Sequence, residues 1–262
     1  MSHPLRVGLF PYLNVQPLIA GLEPDPQIEV VIEVPSKIAD LFREARLDMA
    51  MVPSFEAATM GAPVLDSVCI ASDGPVETVV LHHRVPLSQV KSLCLDEASR
   101  TSAALSKILI AEASGSLPTT SMFRPASDPT PDTDAVLLIG DPAFTYAREG
   151  YRRLDLGERW RDQHALPFVF AVVVLGPRAF GTQAAARLAR SAKRGLESAS
   201  AIAASYNSGV DSARAERYLR NVIRYDLGRR EKAGLAHFYQ LAQAHGLLTL
   251  TQVKELEFHA IG

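Results

Sequence analysis

RVGLFPYLNVQPLIAGLEPDPQIEVVIEVPSKIADLFREARLDMAMVPSFEAATM, residues 6–60, is the stretch whose reading decides the fold. RVGLF is a short apolar run of strand type, and NVQPLIAGL is a turn running into a short helix. IEVVIEV repeats the strand, and SKIADLFREAR is an amphipathic helix with Ser36 placed to cap it. LDMAMV is a buried strand, and PSFEAATM opens a further helix with Pro53 near its first turn. Strands alternating with helices at this spacing predict a mainly parallel sheet covered by helices.

The same alternation continues outward on a smaller scale. VETVVLHH (76–83) and VKSLCL (90–95) are strand-like, and SRTSAALSKILIAEAS (99–114) is helical. AVLLIG (135–140) is a strand, followed by DPAFTYAREG (141–150) as a helix with Asp141 as its cap and Gly150 as its stop. TSMFRPASDPTPDTDA (120–135) has the composition of a surface loop, and LPFVFAVVVLG (166–176) is the longest apolar strand. After Gly176 the pattern is helices only: 177–207 as one long helix, then 209–228, then 229–248. The fold expected is α/β and two-lobed, with residues 1–78 and 171–262 in a first lobe and 79–170 in a second. Two crossings, near VETVVL and LPFVFAVVV, would form a hinge, and hinged lobes bind ligands between them.

Composition narrows the function classes. At 262 residues, 47% of them hydrophobic, the chain can fill a substantial core, and 27 basic against 29 acidic side chains leave no footprint for nucleic acid. No apolar run approaches the roughly 20 residues that span a bilayer. Pro11, Asn14, Gln16 and Pro17 break the first apolar stretch, so an export signal is not expected and a cytoplasmic address is. Cys69 and Cys94 lie in strand-like runs and are expected as buried thiols; the seven histidines show no HxxxH or HExxH spacing. Neither a metal nor a cofactor is expected, and a homodimer is left open.

The sharpest constellation is Asp96-Glu97-Ala98-Ser99-Arg100-Thr101-Ser102, a strand-to-helix junction. Free N–H groups and the positive dipole end at a helix start attract anions, and hydroxyls add donors. Ordinary capping needs one hydroxyl, whereas Ser99, Thr101 and Ser102 supply three beside an arginine. Tyr12 and Asn14 follow the first strand, at the end where α/β sheets bind ligands. Gly74 and Thr78 lie in the turn leading into the first crossing, and Ser54 opens a helix after a strand. Plain turn or capping roles would account for each of them singly. Asp141 and Glu77 are the carboxylates to nominate as bases, yet Asp141 reads first as a cap and Glu77 as a strand residue facing water. There is no GxSxG elbow or phosphate loop.

YLNVQPL, SDGPVETVVL, DEASRTSAAL, DAVLLIGDPAF and LPFVFAV, in that order over about residues 6–175, resemble the chorismate dehydratases of menaquinone biosynthesis by the futalosine pathway. That resemblance implies a type II periplasmic-binding-protein fold and conversion of chorismate to 3-[(1-carboxyvinyl)oxy]benzoate and water. By that resemblance Asn14, Thr78, Thr101 and Ser102 fall on ligand contacts; together with the reading of the residues above, Asn14 and Thr78 are expected as catalytic, and Tyr12, Ser54, Gly74, Ser99, Thr101 and Ser102 as substrate-binding. Thr78 stands where the family would have Ser, and the strand after Phe168 reads AVVV where it more often has a Trp. A sibling family that forms a dihydroxynaphthoate carries a catalytic His in the segment where this chain has Gly140 and Asp141. The rival from another class is a non-catalytic binding protein for a small carboxylate.

Overall fold

The computed structural model describes residues 3–22, 24–125, 127–128, 132–249 and 256–259. Two sheets organise them. In chain order the first sheet contains β1 (Leu5–Leu9), β2 (Ile28–Ile32), β3 (Met49–Pro53) and β4 (Val64–Ser72). Between these strands lie the helices α1 (Gln16–Leu22), α2 (Pro35–Arg43) and α3 (Ser54–Met60). The second sheet follows with β5 (Val79–His83), β6 (Ser92–Asp96), β7 (Thr119–Phe123), β8 (Ala135–Ile139) and β9 (Arg152–Asp155). Its helices are α4 (Thr101–Ser114), α5 (Pro142–Thr145) and α6 (Leu156–His164). The chain then returns to the first sheet as β10 (Phe168–Leu175), and α7 (Gln183–Glu197), α8 (Ala199–Ser205), α9 (Ser212–Arg217) and α10 (Arg229–Ala244) follow. A two-residue strand, β11 (Phe258–His259), ends the described chain.

Strand order is β11-β4-β10-β3-β1-β2 in the first sheet and β7-β6-β8-β5-β9 in the second. The βαβ units give the expected parallel pairs β1–β2, β1–β3, β6–β7 and β6–β8. The strands next to the crossings depart from that pattern. β10 runs antiparallel between β3 and β4, and β5 antiparallel between β8 and β9. All eight residues of β10 and all five of β3 are buried, because helices cover both faces of the sheet centre. The result is a two-lobed α/β molecule whose lobes are joined by the segments between β4 and β5 and between α6 and β10.

Buried partners fix those two segments. Asp155 caps α6, accepting from Gly157 N–H at 3.0 Å and Glu158 N–H at 3.1 Å. The same carboxylate accepts from Val76 N–H at 3.0 Å and Glu77 N–H at 2.7 Å, so one buried acid ties the first crossing to the helix beside the second. Trp160 of α6 is fully buried against Phe168, at 5.0 Å between rings, and donates Nε1–H to Pro167 O at 3.3 Å. In the first lobe α1 and α7 meet backbone to backbone: a Cβ on Gly21 would lie 1.8 Å from Ser191 O, and one on Gly195 1.8 Å from Pro17 O.

Several local expectations give way to tertiary structure. Ser36 does not cap α2; Pro35 opens that helix and Val34 precedes it with no side-chain bond. The long helix over 177–207 is a 3-10 turn at Pro177–Ala179 followed by α7 and α8, broken at Ser198. The region after Gly176 is not wholly helical: Tyr218–Val222 is a π turn, Arg224 bridges Ala71 in antiparallel fashion, and β11 pairs with β4. TSMF of the expected loop is most of β7, and residues 126 and 129–131 of that loop lie outside the described residues. Glu77 is not a strand residue facing water. It has a left-handed backbone (φ 63°) and accepts from Arg214 and Arg217, both at 2.9 Å. Cys69 and Cys94 are buried free thiols, as expected. Among the described residues no helix is long and apolar enough to cross a membrane.

Candidate active site

The carboxyl ends of β1, β3, β6 and β8 face one another across the interlobe cleft, and a partly open pocket lies between them. Phe10, Ile70, Val76, Val79, Ile139 and Phe170 form much of its apolar wall. Tyr12, Asn14, Thr78, Ser99, Thr101 and Ser102 supply polar atoms. Among the described residues of the lining, Arg100 alone carries a charge.

Three segments bring these groups together. The turn after β1 carries Tyr12, whose ring lies against Gly140 of the opposite lobe. Gly140 has a left-handed backbone (φ 67°), and a Cβ there would meet the Tyr12 ring at 2.6 Å, so the close approach needs glycine. Asn14 sits in the 3-10 turn that follows, its side-chain amide hydrogen-bonded to the buried Tyr218 phenol while its Oδ1 has no protein partner. An unpartnered buried carbonyl is costly and leaves an acceptor for a ligand donor. Thr78, at the end of the first crossing, shares a proton with the same phenol: Thr78 Oγ1 and Tyr218 Oη are 2.8 Å apart. Amide, phenol and hydroxyl thus form a chain along one wall.

The opposite wall is the start of α4. This 14-residue helix begins at Thr101 with no side-chain cap, so its first N–H groups and dipole end point into the cleft with the Ser102 hydroxyl. The hydroxyl of Thr101 is engaged elsewhere. It accepts from Phe55 N–H at 3.1 Å, which lets the second lobe cap α3 of the first. Arg100 reaches the same lobe, bonding Glu56 at 3.1 Å, and Glu56 also bonds Arg43. Behind the helix start lies Asp96, buried, its Oδ1 accepting from Ala98 N–H at 3.0 Å. Burial pushes its carboxyl up to about 6, against the lowering effect of backbone N–H bonds from Ala98 and Ile139.

Six of the eight residues singled out in the sequence therefore line one cavity. Ser54 and Gly74 do not. Ser54 is fully buried beneath it, its carbonyl accepting from Tyr239 Oη at 2.7 Å, and Gly74 lies in the crossing loop, its carbonyl accepting from Ser72 Oγ at 3.0 Å. Asp141 is not a helix cap: its side chain makes no bond to α5. It accepts instead from Leu13 N–H at 3.1 Å and lies 2.6 Å from Tyr206 Oη, both on the other lobe. Burial raises its pKa, partly offset by those two bonds. Tyr218 and Tyr206 come from the C-terminal helical region and carry no local motif that would have marked them. Asp155 did have one, since Asp followed three residues later by Glu158 has the spacing of a helix start.

Comparison with known proteins bears on the family and the fold. The model of a menaquinone-biosynthesis family matches residues 5–244. The chain is 30% identical to the chorismate dehydratase of Thermus thermophilus, over 93% of this chain and 96% of that protein. It is 29% identical to the chorismate dehydratase of Campylobacter jejuni, over 63% of this chain and 64% of that one. Among solved structures, an Archaeoglobus fulgidus protein superposes with a TM-score of 0.72 at 19% identity, covering 94% of this chain and 99% of its own. The alkanesulfonate-binding protein SsuA of Xanthomonas axonopodis does so with a TM-score of 0.68 at 16% identity and 96% of both chains. The structural likeness gives the periplasmic-binding-protein fold. With the match over residues 5–244, it follows that the chain belongs to the menaquinone-biosynthesis family that includes these chorismate dehydratases.

Proposed function

We propose that the protein is a cytoplasmic chorismate dehydratase, a lyase that removes water from chorismate to give 3-[(1-carboxyvinyl)oxy]benzoate. The lobes are taken as residues 1–78 with 171–262, and 79–170. The observation that carries the reading is the pairing of two unlike walls in one apolar cavity: an anion-seeking helix start on one side, and the Asn14–Tyr218–Thr78 chain on the other.

Chorismate has a ring carboxylate, an enolpyruvyl ether at C3 with its own carboxylate, and a hydroxyl at C4. Loss of the C3 proton leaves charge that the ring diene passes into the ring carboxylate. The start of α4, with the Ser102 hydroxyl and Arg100 beside it, is where that growing charge is stabilised. Departure of the C4 hydroxyl then makes the ring aromatic, and the C3 proton and C4 hydroxyl together make up the water lost. The enolpyruvyl carboxylate, tethered through oxygen to C3, is the base in this scheme. Asn14 and Thr78 hold it in place, and held geometry supplies much of the acceleration. This fits a lining whose polar groups are hydroxyls and amides with one arginine.

Purified protein mixed with chorismate should change the ultraviolet spectrum and yield a product lighter by one water on mass analysis. Unchanged chorismate from folded protein that nevertheless binds it would overturn the enzyme reading. It would favour a carboxylate-binding protein, in keeping with the structural likeness to SsuA.

A further inference from the structure

The contact between Asp141 and Tyr206 contains one more hydrogen bond than the phenol has protons. Tyr206 Oη lies at 2.5 Å from Pro11 O and at 2.6 Å from Asp141 Oδ2. Both separations are those of strong O–H···O bonds. A phenol has one proton to give, and the Pro11 carbonyl can only accept. An ionised Asp141 could also only accept. One of the two contacts would then set lone pair against lone pair in a half-buried place.

The carboxyl group of Asp141 is the remaining proton source among these three oxygens. Its other oxygen, Oδ1, is engaged by Leu13 N–H at 3.1 Å. We propose that Asp141 is a protonated carboxylic acid in the folded protein and a positioning residue for the site: Oδ2–H donates to Tyr206 Oη, and Tyr206 donates to Pro11 O. With Leu13 N–H on Oδ1, this chain clamps the Pro11–Leu13 backbone from the opposite lobe and so sets where Tyr12 and Asn14 enter the cavity.

The surroundings agree. Burial raises the Asp141 pKa and outweighs the lowering effect of its contacts with Tyr206 and Leu13, and the titratable groups facing it are the phenols of Tyr12, Tyr206 and Tyr218, each itself raised chiefly by burial. Asp96, at the end of β6, acts on Tyr12 and adds no positive charge. Arg214, stacked 5.3 Å from the Phe144 ring in the helix after Asp141, is held by Glu77 at 2.9 Å. A neutral acid also places no fixed negative charge beside the seat of an anionic substrate. The inference about positioning rests on the dehydratase reading; the inference about the proton does not.

Two measurements on the full chain separate them. The infrared difference spectrum between the parent and Asp141→Asn, without ligand at neutral pH, should contain the carbonyl stretch of a protonated carboxyl. If it contains only carboxylate bands, the proposal is overturned, whatever the protein does with chorismate. In turnover of chorismate, Asp141→Asn keeps one acceptor and one donor in the same places and should stay within about threefold of the parent's kcat/KM, while Asp141→Ala should lose about tenfold or more. The parent's rate should fall at high pH through an ionisation that is missing in Asp141→Asn. Equal rates for the Asn and Ala variants, or the same alkaline limb in both parent and Asn variant, would remove Asp141 from any positioning role. Should the parent leave chorismate unchanged, the dehydratase reading fails while the infrared result still decides the proton.

Discussion

Replacing Ser102 with Asp should separate stability from function. Ser102 is the second residue of α4, and the first turn of that helix holds no acidic residue. A carboxylate there meets the positive dipole end, worth about 0.3–1 kcal/mol and up to about 2 in partly buried geometry. Opposing this, Ser102 is only 5% exposed and the buried Asp96 lies one turn back, so part of the gain is lost to burial and like charge. The net effect on folding should be within about 1 kcal/mol, a shift of roughly 2–4 °C in Tm for a chain of this size.

Catalysis should respond quite differently. If a substrate carboxylate sits at the helix start, it lies about 4 Å from the new one, and two unit charges at that separation repel by about 4 kcal/mol at an effective dielectric constant of about 20. That energy is roughly a thousandfold in kcat/KM. The control is Ser102→Asn, which has nearly the same shape and no charge. A melting curve and a chorismate progress curve on both variants complete the test. Ser102→Asp turning over within about tenfold of Ser102→Asn would show that no substrate charge rests there, and the hydroxyl cluster would be a helix start and nothing more.

Other perturbations probe the remaining walls. Thr101→Val removes the acceptor of Phe55 N–H across the cleft, which should weaken chorismate binding about tenfold by calorimetry, with Thr101→Ser restoring it; unchanged affinity would mean the bond is indifferent to ligand. The folded pKa of Asp96, about 6, lies above its ordinary 3.8, so its contribution to stability is full below the ordinary value and is lost as pH rises through 6. Asp96→Asn should therefore be the more stable protein at pH 8, by about 3 kcal/mol, with the gap closing toward pH 4; a gap independent of pH in thermal melts would refute it. Gly140→Ala should cost about 1–2 kcal/mol for its left-handed backbone alone, and should raise KM further by pushing the Tyr12 ring. An unchanged KM would take that ring out of the site.

What could be read from the sequence was local. The alternation over residues 6–60 follows from side-chain periodicity, and the unbroken apolar run of β10 announces a strand covered on both faces. The hydroxyls of Ser99, Thr101 and Ser102 could be recognised because a helix start is a local event. What could not be read depends on partners far along the chain. Asp141 followed by Pro142 has the form of a cap, but its carboxyl group is engaged by Leu13, 128 residues away, and by Tyr206, 65 away. Glu77 is likewise drawn out of its local role by Arg214, and Asp155 adds the distant Val76 amide to its local role as a cap. A dipeptide fixes what a side chain could bond, and the fold decides what it meets.

The same distinction bears on how a fold shared with solute-binding proteins could serve for chemistry. The apolar wall and the helix start are enough to hold a carboxylate, and the helix start comes from contiguous sequence. The Asn14–Tyr218–Thr78 chain and the Asp141–Tyr206 clamp need the two lobes and the C-terminal helices together. Binding requires that a charge be met somewhere in the cleft. Elimination requires that one C–H bond and one C–O bond be held in a fixed relation while charge moves between them, and distances of that kind are set by groups arriving from several directions. On this view the difference between a receptor and a dehydratase of this architecture lies in long-range polar contacts that hold the Pro11–Asn14 turn, more than in any residue that would be recognised as a catalyst on its own.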